Sequence, residues 1–193
     1  MGQLDEVISG MSDLISTAYR QLQRKLHENP DYGTASTHFA PFVASVVTAV
    51  NATELLDYGA GKGRLQQALT PLLKQPLRVV HYDPAIDEWS ATPAPAGFVA
   101  CIDVLEHIEP PLLDNVLDDL QRVTAGFGVF TVHTGPAMKH LADGRNAHLI
   151  QQGPAWWLPK MLARFDLVQF NRIEQGFIVV VQHKPQSDST AAG

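Results

Sequence analysis

The chain has 193 residues, about one domain's worth, with 45% apolar and 18% charged residues, a balance that excludes a wholly disordered or fibrous protein. Fourteen Lys and Arg stand against 20 Asp and Glu, for a net charge of −6 and a pI near 5.7. That counts against the broad basic surface of a nucleic-acid binder, leaving room only for a local basic groove, and Cys101, the only cysteine, excludes an intrachain disulfide and a cysteine-rich zinc site. A reducing compartment fits best. The N-terminus carries acids and Gly10 where an export signal needs a basic start and an unbroken apolar stretch. No run approaches the ~18–20 apolar residues of a membrane span, and the longest candidate, 42–50, contains Ser45 and Thr48. The chain is expected to be cytoplasmic.

Residues 4–26 place Leu4, Val7, Ile8, Met11, Leu14, Ile15, Ala18, Leu22 and Leu26 at helical spacing, which predicts an amphipathic helix that packs on the domain, caps a cleft or meets a second copy. Asn29, Pro30, Asp31 and Gly33 break the pattern, and Pro41 opens a second predicted helix to about Val50. Short apolar runs then alternate with helical segments, the signature of βαβ units and a parallel sheet. Strands are predicted at 54–58, 77–82, 98–102 and 127–133, and helices at 64–74 and 112–123. A helix over 154–165 should be bent or divided by Pro159. Strands at 167–173 and 177–183, joined by a turn at 174–176, suggest an antiparallel hairpin at the sheet edge. The expected organisation is an N-terminal helical cap or packing element over 1–30, an α/β domain over 31–184 with helices on both sheet faces, and a disordered tail over 185–193.

Three strand ends carry the chemistry. The first is Leu55-Leu56-Asp57-Tyr58-Gly59-Ala60-Gly61-Lys62-Gly63-Arg64, an acid followed by three alternating glycines and a helix. Glycine admits positive φ and lets a ligand approach the backbone, but this spacing differs from the G-x-G-x-x-G that cradles a pyrophosphate. Asp57 beside it suits an ammonium group better than a phosphate. The second is Val79-Val80-His81-Tyr82-Asp83-Pro84, whose carboxylate lies 26 residues after Asp57, where such folds place an acceptor for ribose hydroxyls. The third is Asp103-Val104-Leu105-Glu106-His107-Ile108.

In order and spacing these motifs resemble the class I S-adenosylmethionine (SAM) dependent methyltransferases, closely over 54–133, with the third segment like the ubiquinone-biosynthesis type. The resemblance implies a Rossmann-like fold and transfer of a methyl group from SAM to a small, hydroxyl-bearing acceptor, leaving S-adenosyl-L-homocysteine. It puts Asp57, Tyr58, Gly59, Ala60, Gly61 and Gly63 around the methionyl part, Asp83 and Pro84 at the ribose, and Asp103 and Val104 beside the sulfonium. One departure stands out: only 14 residues, 84–97, separate the second and third strand motifs, too few for the usual helix, strand and acidic adenine-contacting loop. Ile86 and Trp89 are the candidates to cover the adenine, with Trp89 capping the core as the alternative.

An acceptor hydroxyl needs a base, for which His148 is favoured over His133 because it is followed by Gln151, Gln152, Trp156 and Trp157, an acceptor wall; His107, Arg145 and Trp156 are the expected substrate contacts. Asp103, Glu106, His107 and His133 also offer metal-type ligands, a pattern similar to the metal-assisted small-RNA terminal 2′-O-methyltransferases. The acid at Asp103 is shared with metal-free relatives, and no metal is expected. The alternatives are a nucleotide or nucleic-acid methyltransferase, against which the acidic balance counts, and a non-catalytic binding module on the same fold. Acceptor identity and oligomeric state are not readable from the sequence.

Overall fold

The structure, a computed structural model, describes residues 13–29 and 32–185. The predicted helical positions before residue 13, the turn residues Pro30 and Asp31, and the tail from 186 onward lie outside the described residues. Six strands form one sheet in the order β2-β1-β3-β4-β6-β5: β1 (Glu54–Tyr58), β2 (Arg78–Tyr82), β3 (Ala96–Ile102), β4 (Thr124–His133), β5 (Phe165–Ile173) and β6 (Gly176–His183). The first four are parallel, and β6 runs antiparallel to both β4 and β5, which is the expected closing hairpin.

Alternation along the central strands divides the core in two. Leu55, Phe98, Ala100, Val129, Ile178 and Val180 pack with α2 (Ala35–Ala49) and α3 (Arg64–Leu69). Leu56, Val99, Cys101, Phe130, Phe177 and Val179 pack on the other face with α4 (Leu113–Val123) and α5 (Pro154–Leu162). Helices thus cover both faces. Between β2 and β3 there is no α-helix and no strand, only a short 3-10 turn at Asp87–Trp89, so the expected shortened unit leaves β2 at the sheet edge.

Several boundaries differ from the sequence reading for physical reasons. Helix α1 (Thr17–His27) starts at Ser16, whose hydroxyl accepts the Tyr19 N–H (3.1 Å), rather than running unbroken from upstream. Helix α2 begins six residues before Pro41, which lies inside it, and Pro159 lies inside α5 without dividing it. Both prolines occupy exposed positions. Helix α3 stops at Leu69 and passes into a 3-10 turn at Thr70–Leu72, short of the predicted 74.

Helix α1 lies across the carboxyl ends of the strands. Tyr19 and Leu26 pack on Leu141 and Ala147. The Ser16 N–H and hydroxyl both donate to Glu109 (2.8 and 2.7 Å), and Arg24 donates to the Ala85 carbonyl (3.0 Å) and pairs with Asp87. The N-terminal element is therefore fastened over the end of the sheet where the three sequence motifs emerge. Among the described residues no helix is long and apolar enough to cross a membrane.

Candidate functional site

A cavity opens beneath α1 at the ends of β1, β2 and β3. Its lining includes Asp57, Tyr58, Gly59, Ala60, Gly61, Asp83, Pro84, Asp103 and Val104, so nine of the ten residues singled out for the cofactor meet there. Gly63, the tenth, lies behind it, with the Trp89 ring 3.1 Å from where a Cβ would stand. Gly59, Gly61 and Gly63 all have positive φ (80°, 54° and 64°). At Gly59 the requirement is doubled, because a Cβ would fall 2.4 Å from a Val104 methyl.

The amides of this loop are already engaged. Gly59 and Ala60 donate to the Tyr82 carbonyl (2.7 and 3.0 Å), Gly61 donates to Asp83 Oδ2 (2.9 Å) and Gly63 to the Ala60 carbonyl (2.8 Å). The loop therefore presents no nest of open N–H groups for a phosphate. Asp83 is buried, its other oxygen accepts the Ala85 N–H (2.9 Å), and each oxygen keeps a lone pair. Asp57 is buried with Oδ2 3.4 Å from His81 Nδ1; burial raises its carboxyl above the usual range, an effect the imidazole opposes. Among the described residues, three carboxylates and no Lys or Arg line the cavity.

A second cavity adjoins the first and shares Tyr32, Gly33, Ala35, Asp103 and His107 with it. Its remaining walls come from His38 and Phe39 of α2, Thr131, Val132 and His133 of β4, and Pro136, Met138, Lys139, His148 and Gln175. Asp103 sits at the junction with φ 59°, a left-handed turn that ends β3; its N–H leaves the sheet ladder and donates to Thr131 Oγ1 (2.9 Å).

Three histidines pack together at this junction, His107 edge-on to His148 and His148 tilted against His133, with ring centroids 4.7 Å apart in each pair. Their hydrogen bonds assign different roles. His148 Nδ1 donates to the Gly135 carbonyl (2.8 Å), which leaves Nε2 as the bare nitrogen of a neutral ring; burial depresses its pKa. His133 Nδ1 lies 3.1 Å from the Gly135 amide and 3.2 Å from its carbonyl, and its Nε2 faces Gln175 Oε1 (2.9 Å), so both ring nitrogens are engaged within the protein. His107 Nδ1 donates to the Ala147 carbonyl (2.8 Å), and burial pushes its pKa down to about 4.

Glu106 is fully buried. One oxygen accepts the His133 N–H (2.5 Å) and the other has no donor partner. Burial first, then the neighbouring Asp103, pushes its carboxyl well above the usual range, so a proton held by Glu106 and shared with Asp103 relieves the orphaned oxygen. Asp103, Glu106 and His148 each bring one ligand-type atom within 4.8 Å of the others, the grouping among the described residues that a divalent ion would find. A metal would have to displace the Glu106 proton.

Two expected substrate contacts lie elsewhere. Trp156 is 37% exposed on α5 beneath Lys160 and lines neither cavity. Trp157 is buried in the core, its indole N–H donating to the Gln152 carbonyl (3.1 Å). Arg145 pairs with Asp143 (2.7 Å), lies over the Tyr19 ring 5.9 Å from its centroid, and is in the lining of neither cavity. Trp89 stacks on His81 at 4.5 Å rather than lining the cavity, and Ile86 is likewise absent from the lining. The sequence reading did not single out Tyr19, Gln23, His27, Tyr32 or Gln175.

No family model matches the chain, and no curated protein matches it by sequence. Solved structures do. The 1,6-didemethyltoxoflavin-N1-methyltransferase of Burkholderia thailandensis, with bound 1,6-didemethyltoxoflavin and S-adenosylhomocysteine, superposes with a TM-score of 0.62 at 16% identity, over 90% of this chain and 93% of its own. The chain has the class I methyltransferase fold. The N-methyltransferase NodS of Bradyrhizobium japonicum, in complex with S-adenosylhomocysteine, shares this fold at TM-score 0.56 and 13% identity, over 88% and 100% of the two chains. The magnesium protoporphyrin IX methyltransferase of Synechocystis, with bound SAM, matches at 0.53 and 12% over 95% and 92%.

Proposed function

We propose that the first cavity binds SAM and that the protein transfers its methyl group to a small, hydroxyl-bearing molecule held in the second. The observation that carries this reading is the first cavity's character: Asp57, Asp83 and Asp103 line it without Lys or Arg, and the glycine-loop amides are spent within the protein. A pyrophosphate would meet three carboxylates there, whereas a ligand bearing a sulfonium and an ammonium would meet its complement. The class I methyltransferase fold and the S-adenosylhomocysteine or SAM bound by similar structures support the assignment.

When bound, SAM supplies a methyl group already activated by the sulfonium. The chain's own work is alignment, exclusion of water and removal of one proton. Asp103 and Val104 border the first cavity, and Asp103 is shared with the second. His148 is placed to accept the hydroxyl proton of the acceptor at Nε2, while its Nδ1–H to Gly135 fixes the tautomer. Helix α1 covers part of the cleft through Tyr19, Gln23 and His27. The His133 ring is oriented by Gly135 and Gln175, and it supports His148 through a tilted ring contact. With Glu106 holding a proton, the Asp103–Glu106–His148 cluster is satisfied without a metal. Arg145 and Trp156 have no part in this reading, and His107 contributes a wall of both cavities.

Calorimetric titration with SAM and with S-adenosylhomocysteine tests it. One-to-one binding of both is expected, followed by methyl transfer from labelled SAM to members of a panel of small hydroxylated compounds. Binding without transfer to any compound would favour a non-catalytic module, and no binding would sink the assignment.

A further inference from the structure

We propose that His27, carried on the covering helix α1, is a further cofactor-binding residue that hydrogen-bonds the ribose hydroxyls alongside Asp83; this rests on the cofactor reading above. Tyr19, Gln23 and His27 follow one another at intervals of four on α1, share one helix face and all line the first cavity. Two of them are satisfied within the protein: the Tyr19 hydroxyl donates to the His107 carbonyl (2.5 Å), and Gln23 Nε2 donates to the Tyr19 oxygen (2.5 Å). His27 is different. Its Nδ1 is buried and has no hydrogen-bond partner among the described residues.

A buried polar nitrogen without a partner is destabilising, and its persistence in a ligand cavity marks a bond made to the ligand. The ring's surroundings narrow which part of the ligand that is. His27 Cε1 lies 3.0 Å from the point a Cβ on Gly61 would occupy, and Gly61 is hydrogen-bonded to Asp83. Of the charged groups that act on His27, Asp83 is the strongest. The ring is also held in place, since Tyr32 packs against it edge-on at 5.1 Å and Arg24 ties α1 to Ala85 and Asp87, just beyond Asp83. Asp83 can only accept from a hydroxyl, and both its oxygens already accept backbone N–H groups. An imidazole, which can donate or accept at Nδ1, supplies what the ribose oxygens still lack.

The test is calorimetry of S-adenosylhomocysteine binding to wild type, His27→Phe, which keeps an aromatic ring against Tyr32, and His27→Asn, which keeps a polar atom near Nδ1. Each protein's ligand-free melting temperature is measured alongside. His27→Phe should bind about tenfold more weakly, as expected for one lost hydrogen bond, without a fall in melting temperature, and His27→Asn should recover most of that loss. His27→Leu stands in if the phenylalanine variant does not fold. Displacement by adenosine and by 2′,3′-dideoxyadenosine isolates the ribose: the advantage of adenosine should shrink in His27→Phe. Equal binding by wild type and His27→Phe, or an unchanged adenosine advantage, would overturn this proposal alone. Failure of wild type to bind S-adenosylhomocysteine would overturn the cofactor reading and this proposal with it.

Discussion

Replacing Gly59 with alanine probes how tightly the glycine turn and the Asp103–Val104 corner are fitted to each other. Gly59 has φ 80°, and a Cβ there would lie 2.4 and 2.9 Å from the two Val104 methyls. An L-residue held in the left-handed region costs ~1–2 kcal/mol. Overpacking against a β-branched neighbour adds ~1–3 kcal/mol, because Val104 has few alternative rotamers. The sum, about 2–5 kcal/mol, is a large share of the ~5–15 kcal/mol typical of a whole domain. At ~2–4 °C per kcal/mol for a chain this long, the melting temperature should drop by about 5–20 °C. Urea and thermal unfolding followed by the fluorescence of the three tryptophans would measure it. Adding Val104→Ala removes both methyls, so the double variant should recover the packing part, a favourable coupling of about 1–3 kcal/mol, and keep the backbone part. A Gly59→Ala protein within ~0.5 kcal/mol of wild type, which is the scatter of innocuous surface substitutions, would refute the reasoning, as would strictly additive effects.

Asp83→Ala removes the acceptor for Gly61 and Ala85 as well as the carboxylate proposed to hold the ribose, so the ligand-free melting temperature and S-adenosylhomocysteine affinity should fall together, the latter by roughly tenfold or more; an affinity loss without destabilisation would contradict the turn-stapling role. His148→Ala should lower turnover by ~10²–10⁴-fold and leave cofactor affinity unchanged, as expected of a general base. Because burial lowers the His148 pKa, wild-type activity should rise with pH through a point below the ordinary 6.5 and be flat above it. A limb centred above 7 would exclude this histidine. Glu106→Gln mimics the protonated acid. A carboxyl whose pKa is raised on folding contributes its full stability below the unfolded value near 4.5 and loses it as pH rises toward the folded value. The variant should therefore gain on wild type above pH 4.5, by up to ~1.4 kcal/mol per pH unit, and a pH-independent difference would show that Glu106 is ionised. Chelation should leave activity intact, whereas loss restored by a divalent ion would assign Asp103, Glu106 and His148 to a metal instead.

What was legible in the sequence is what backbone geometry forces into local pattern. The apolar runs ending in Asp57, Asp83 and Asp103 predict three neighbouring parallel strands, and β2, β1 and β3 are neighbours. The alternating glycines predict the turn, and all three have positive φ. The site's second half was legible only in part, because it is assembled from residues far apart in the chain. The preference for His148 over His133 rests on neighbouring residues, whereas in the structure Gly135 occupies Nδ1 of both rings and it is Gln175, facing Nε2 of His133, that distinguishes them. Trp156 and Trp157 are adjacent in sequence, yet a 100° step along α5 sends one to solvent and the other to the core. On α1 the apolar stripe drew attention from the polar one: Tyr19, Gln23 and His27 have the same four-residue spacing and face the cavity. Pro41 and Pro159 read as boundaries because sequence alone does not show that both lie on exposed helix faces.

The left-handed turn at Asp103 constrains how a chain with this fold can diverge. Walls drawn from α2 and from 134–147 can be exchanged to fit a new ligand without altering the sheet or the His133–His148 pair. Position 103 is held first by its backbone, since among the twenty side chains chiefly glycine, asparagine and aspartate adopt φ near 59° at low cost. Glycine would keep the corner without its polar group, and asparagine would keep the corner and its shape without the charge. Of these three, aspartate alone retains a carboxylate at the boundary of the two cavities. Variation there is thus confined to changes that separate charge from shape, while most other side chains would break the bend before their chemistry could matter.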